Sequence, residues 1–257
     1  MRLTDEVLFD VVDGTIAVIT IDRPEQRNAI NQGVMAGLRE AWHRLETDDA
    51  LRVGILTASG DKAFCAGMDL KEAAAMKLAV PPRDMLPVLG DAIQVTKPTI
   101  AAVNGVALAG GWLFAQMCDL CIAAEHATFG ITEAKVGRGM PWAAPLIHML
   151  PQRIVMEVML TARPITAQRA YALGYVNEVV PREALLDSAL AMARNIAANA
   201  PLTVRAAREL VYLSTEMGRS AGLRAAQHLF EPVYLSADAQ EGPRAFSEKR
   251  TPQWQGR

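Results

Sequence analysis

Strand-like and helix-like segments alternate through the first half of this chain, and that alternation predicts an α/β fold. Two further observations agree. The runs RVGILTA (52–58) and TIAAVNG (99–105) are almost wholly apolar, as strands buried on both faces of a parallel sheet must be. Beyond about residue 142 the strand signal thins and amphipathic helices dominate, which predicts a helical C-terminal region.

The chain opens on a hairpin: β-branched runs at 7–12 and 15–21 flank Asp13-Gly14, a pair suited to the positive φ angles of a tight turn. Val34, Leu38, Trp42 and Leu45 then recur at helical spacing and mark one buried face. Strand 52–58 follows, then helical stretches at 72–77 and 84–94, strand 99–105, a helix at 111–117 and the strand LCIAAE (120–125). AVPPRD (79–84) has the composition of a loop. Later helices are expected at 143–150, 154–160, 166–173, 182–199, 202–214 and 220–236. The stretch 182–199 aligns Leu185, Leu186, Ala189, Met192, Ala193 and Ile196 on one face. Met217, Leu223, Leu229, Phe230 and Val233 offer more apolar surface than a small helical tail can cover, so oligomerisation is expected. The chain divides into an α/β core over 1–198 and a helical oligomerisation region over 199–257. No internal repeat of letters is visible.

Composition narrows the function classes. With 257 residues, 51% of them hydrophobic and 21% charged, and a formal net charge of −2, the chain reads as an ordinary soluble globular protein. It lacks a basic run with interleaved aromatics, so no nucleic-acid partner is expected. Its polar beginning leads straight into strand-like sequence, so neither a signal peptide nor a membrane span is expected and the location is cytoplasmic. Cys65, Cys118 and Cys121 are an odd number in apolar surroundings, which fits a reducing compartment. Cys118 and Cys121 have a metal-ligand spacing but no second pair, and His43, His126 and His228 are dispersed, so no metal is expected. No Gly-x-Ser-x-Gly elbow suggests a serine hydrolase.

Two short segments share one grammar: an apolar strand, then small residues, then a helix start. They are KAFCAGMDLKE (62–72) and NGVALAGGWLF (104–114). Amides at helix starts are unpaired and carry partial positive charge. Two of them aimed at one point would stabilise an oxyanion by about 3 to 4 kcal/mol per donor. Gly67, Gly110 and Gly111 read equally well as devices for tight turns or close packing.

A resemblance adds to this reading. RPEQRNAI (23–30), KAFCAGMDL (62–70), KPTIAAVNGVALAGG (97–111), CDLCIAAEHATFGITEAKVG (118–137), LTARPITAQRAYALGYVNEVVP (160–181) and SEKR (247–250) resemble, in order and spacing, the blocks of the crotonase superfamily, the enoyl-CoA hydratase/isomerase family. The resemblance implies a spiral of repeated ββα units with a C-terminal α-helical trimerisation region. It implies an acyl-CoA thioester whose carbonyl oxygen sits between the backbone N–H groups of Met68 and Gly110. CoA would lie along Arg27 and Ala29 and along Ala66, Asp69, Leu70 and Lys71, although Arg27 also reads as a solvated loop charge. No separate cofactor is implied, since coenzyme A is part of the substrate. The subunits would form a homotrimer or, as two stacked trimers, a hexamer.

Acids are where the sequence departs from that pattern. Hydratases of the family typically carry two glutamates, which together hold and activate a water while one proton is given and one taken. The first position is Leu113 here, and the second, Glu133, matches. Glu133 also reads as a surface or helix-start glutamate. Where hydratases generally read Pro-Gly-x-Gly-Gly, this chain has Pro141-Trp142-Ala143-Ala144-Pro145, so an indole fills the place of the catalytic water. The aspartate that would mark a dienoyl-CoA isomerase is missing there. Trp112, Phe114, Met140 and Trp142 are candidates to line an acyl pocket, with Trp112 also readable as core and the core reading preferred for Phe114. Arg138, His148 and Glu157 are the nearest groups that could replace the missing acid. The expected chemistry is proton transfer beside the thioester by Glu133 alone, giving double-bond isomerisation or an atypical hydration. An ordinary 2-enoyl-CoA hydratase with an unidentified second group, and a non-catalytic acyl-CoA-binding protein, are the competing readings.

Overall fold

A computed structural model describes residues 1–77 and 80–257, so the first residue of the loop expected at 79–84 lies outside the described residues. The strands are β1 (Arg2–Thr4), β2 (Val7–Val12), β3 (Ile16–Ile21), β4 (Val53–Ala58), β5 (Ala63–Cys65), β6 (Thr99–Val103), β7 (Val106–Leu108), β8 (Leu120–Ala124), β9 (Thr128–Gly130), β10 (Ile165–Thr166) and β11 (Glu178–Val180). The helices are α1 (Gln32–Thr47), α2 (Leu70–Met76), α3 (Gly110–Gln116), α4 (Gln152–Thr161), α5 (Ala167–Ala172), α6 (Leu185–Ala197), α7 (Pro201–Glu216), α8 (Arg219–Tyr234) and α9 (Ala237–Ser247).

One sheet has seven strands in the order β1-β2-β3-β4-β6-β8-β11, and a smaller one has four in the order β10-β9-β7-β5. After the β2–β3 hairpin, the large sheet is parallel from β3 to β11. Each of β4, β6 and β8 hands the chain to a short strand of the small sheet, β5, β7 and β9 in turn. The fold is therefore a stair of paired strands, repeated in space.

Strand pleat sorts the apolar residues between two cores. Ile16, Val18, Ile55, Ile100, Ala102 and Ile122 face α6, where Leu185, Ala189, Leu190 and Ala193 cover them. Ala17, Ile19, Leu56, Ala101, Val103 and Ala123 belong to the opposite core, beneath α1 and α3. Both faces are buried, which is why β4 and β6 read as unbroken apolar runs. At the hairpin, Asp13 and Gly14 take φ of 53° and 71°. Asn31 caps α1 by accepting from Val34 N–H at 2.8 Å, and the predicted face of Val34, Leu38, Trp42 and Leu45 is buried.

Three expected helices come out differently. Residues 84–94 form turns and a Leu89–Ile93 bridge, because Pro87 cannot donate to a helical ladder and Gly90 sits at φ 80°. Pro141–His148 is a 3-10 segment with Pro145 inside it. The stretch 182–199 divides into a 3-10 turn, Arg182–Ala184, and α6. The chain also forms α9, which sequence patterning did not suggest and which carries Pro243 internally. No helix among the described residues is long and apolar enough to cross a membrane.

Candidate active site

The loops that follow β5 and β7 meet. Gly67 takes φ 94°, and a Cβ placed on it would stand 3.0 Å from Ala109 Cβ and 3.2 Å from Leu108 O. Met68 is held between two bonds to one residue: Ile30 N–H donates to Gly67 O at 2.8 Å, and Asp69 N–H donates to Ile30 O at 2.9 Å. On the second loop, Ala109 N–H donates to Gly130 O at 2.8 Å and Leu113 N–H to Ala109 O at 3.1 Å. These neighbours are engaged, whereas the N–H groups of Met68 and Gly110 meet no acceptor among the described residues.

Packing dictates the bare backbone here. A Cβ on Gly111 would lie 2.0 Å from Cys65 O, and one on Gly110 would lie 2.7 Å from Ile30 Cδ1. The first contact is with backbone and is forbidden, so α3 can approach β5 only with glycine at 111, whereas the second would push aside the end of the Ile30 side chain. Ala109 sits at φ 52° and ψ −122°, a region an L side chain rarely occupies. The close-packing reading of these glycines is therefore correct, and the same packing leaves two amides without internal partners.

Glu133 begins a 3-10 turn, Glu133–Val136, just after β9. It is buried, at 8% exposure. Its Oε1 accepts from Trp142 Nε1–H at 2.8 Å, while Oε2 has neither a hydrogen-bond partner nor contact with solvent. Burial pushes the Glu133 carboxyl above the usual carboxylate range, opposed by the nearby backbone N–H groups of Glu133 and Thr132 and by the Trp142 indole. Trp142 is fixed in turn: buried Gln116, on α3, donates its Nε2–H to Trp142 O at 2.5 Å and keeps an unpartnered Oε1.

Ala29, Ala66, Met68, Gly110, Leu113 and Glu133 line one cleft of about 2230 Å³, and Leu70, Gln116 and Trp142 share it. The sequence reading needs correction at several other positions. Trp112 is fully buried against Phe129 and Tyr175, with ring centroids 5.7 Å away in each case, so it is core and lines no part of the cleft. Phe114 is core, the reading preferred for it from the sequence. Met140 packs half-buried against the same core, away from the cleft lining. Asp69 uses its carboxylate to cap α2, accepting from Lys71 and Glu72 N–H, and pairs with Arg23 at 3.4 Å. Arg27 and Lys71 are exposed outside the lining, Arg27 contributing a backbone carbonyl to Ala66 N–H at 3.1 Å. Of the replacements for the missing acid, Glu157 is tied by both oxygens to Arg169, whereas Arg138 and His148 are exposed residues at the cleft. Gln116 was missed, although a lone amide in the apolar stretch GGWLFAQ is a signal. Among the described residues no three His, Cys, Asp or Glu side chains are grouped to hold a metal ion.

Known proteins agree with this architecture. The sequence profile of the enoyl-CoA hydratase/isomerase family matches residues 12–257. An (E)-benzylidenesuccinyl-CoA hydratase of Thauera aromatica is 37% identical over 95% of this chain and 97% of its own. A carnitinyl-CoA dehydratase of Salmonella arizonae is 40% identical over 95% of this chain and 96% of its own. The crystal structure of an enoyl-CoA hydratase from Mycobacterium marinum superimposes with a TM-score of 0.90 at 40% identity, covering 98% of this chain and 99% of that one. With the stair of paired strands, the helical C-terminal region and a match along nearly its whole length, the chain belongs to the enoyl-CoA hydratase/isomerase family of the crotonase superfamily.

Proposed function

We propose that this chain is an acyl-CoA enzyme that moves a proton at the carbon beside the thioester carbonyl, with Glu133 as its acid–base group. The N–H groups of Met68 and Gly110 would hold the enolate oxygen. One observation carries this reading: a buried glutamate at the cleft with one oxygen tied to Trp142 and the other without a partner. An unmade bond on a buried polar atom costs about 1 to 3 kcal/mol, and here it leaves a free acceptor on a residue that lines the cleft. Burial also raises its proton affinity toward neutral pH, where a proton shuttle works best.

Leu113, 1% exposed, stands where the resemblance implies a second glutamate, and it transfers no proton. Isomerisation needs one carboxylate: Glu133 takes a proton from one carbon, the double bond moves, and the carboxyl, after exchange with solvent, delivers a proton to another carbon. The names of the relatives favour a second reading, reversible hydration. That also balances through one carboxylate, which accepts a proton from water as hydroxyl adds at the β carbon and passes a proton to the α carbon. Exposed Leu160, Leu235 and Phe246 support association of subunits, as the homotrimer or hexamer implied by the resemblance.

The experiment is product analysis by mass spectrometry in heavy water on a panel of enoyl-CoA thioesters, with Glu133→Gln beside the wild type. Deuterium gain on an unchanged skeleton indicates isomerisation, and gain of a water indicates hydration. Glu133→Gln is expected to lower kcat by about 10²- to 10⁴-fold, and undiminished turnover would remove Glu133 from the chemistry.

A further inference from the structure

The geometry points to Trp142, held by Gln116, as the positioning residue that fixes the Glu133 carboxyl and selects Oε2 as the oxygen that transfers the proton. This inference rests on the reading of Glu133 as the acid–base group. Two consecutive hydrogen bonds carry it. Gln116 Nε2–H donates to the Trp142 backbone carbonyl at 2.5 Å, and Trp142 Nε1–H donates to Glu133 Oε1 at 2.8 Å. Each link anchors the next: α3 carries Gln116, Gln116 pins the start of the 3-10 segment at Trp142, and the indole reaches back over nine residues to Glu133.

The chemistry of an indole explains the choice of oxygen. Its N–H only donates. It therefore offers no place for the transferred proton, and the oxygen it touches is committed to accepting from it. Proton traffic is left to Oε2, which has no other partner. A carboxyl rotating freely would present either oxygen, whereas this one is fixed in rotation by a donor on a half-buried ring packed against the core. Gln116 lies three residues after Leu113, on the same face of α3. The face that carries Leu113, where the resemblance implies an acid, presents an amide at 116, and that amide supports Glu133 through Trp142.

The decisive variant is Trp142→Phe, which keeps a ring and deletes the N–H. A hydrogen bond to a charged carboxylate favours the ionised form, so its loss moves the Glu133-controlled midpoint of the kcat/KM profile to higher pH, whichever limb that residue governs. A drop of about ten- to hundredfold in kcat is expected, with a much smaller change in KM. Gln116→Leu is expected to shift the midpoint in the same direction by less. Loss of activity in Trp142→Phe with an unmoved midpoint would reduce the ring to pocket filling and overturn the proposal. Because either variant can lose its fold, the wild-type protein with ¹⁵N-labelled tryptophan supplies an independent readout. The Trp142 indole resonance must titrate with the kinetic midpoint, and a flat response would also overturn it. A Glu133→Gln enzyme with full turnover would instead remove the underlying reading of Glu133, an outcome distinct from both.

Discussion

The side of the cleft at Ala109 and Gly110 is made of backbone, backed by Gly67 and Gly111, which press so closely on Leu108, Ala109 and β5 that an added Cβ at 111 would lie 2.0 Å from a carbonyl oxygen. The opposite side is made of side chains on irregular 3-10 segments, with Val136, Gly137 and Arg138 exposed between Glu133 and Trp142. Contact on the first side is fixed by close-packed sterics, which admit almost no alternative. On the second it is fixed by two hydrogen bonds, each of which one substitution can delete. On the proposed reading, such a site would keep its grip on a thioester while its acid–base groups are exchanged.

The largest effect should come from breaking the rigid side. Gly111→Ala forces α3 away from β5 and is expected to cost about 1 to 3 kcal/mol of stability from overpacking, with kcat falling by about 10²-fold as the Gly110 amide moves. Circular dichroism melts and steady-state kinetics check both, and wild-type values for each would mean that the contact is dispensable. A smaller effect is expected on the stability of the other side. Burial raises the Glu133 carboxyl above its unfolded value, so the stability supplied by the neutral acid is present at low pH and lost as pH rises through the folded-state midpoint. Glu133→Gln should therefore gain melting temperature over the wild type progressively as pH rises above the ordinary carboxylate range of about 4. Parallel curves for the two proteins would contradict this sign. The smallest effect is expected at Ala109, whose φ of 52° and ψ of −122° suit glycine. Ala109→Gly should stabilise by about 1 kcal/mol, with kcat unchanged, and a lower melting temperature would refute the strain assigned there.

Much of the large sheet and of α1 was legible because burial on one or two faces imposes a period over many residues. Strands β5, β7 and β9 have three residues each, too few to carry an alternation, so the repeat of paired strands was expected from the resemblance and not from residue periodicity. The steps repeat as geometry, not as letters. Pro87 was available to veto a helix at 84–94, and the apolar residues around it obscured that signal. Within the site, Met68, Gly110 and Glu133 were found through the resemblance, whereas the two tryptophans could not be told apart by proximity to the motifs. Rotation along α3 turns Trp112 into the core against Phe129 and Tyr175, while Leu113 and Gln116 look into the cleft. Gln116 gave a one-dimensional signal, but its role depends on Trp142, 26 positions away.

The open amides of Met68 and Gly110 belong to the peptide linkage itself, which every amino acid except proline reproduces. Point mutation can therefore replace a glutamate in one step but has almost no vocabulary for erasing these donors. Lineages descending from such an ancestor would inherit a stable anchorage and diverge in what they do to the molecule anchored there.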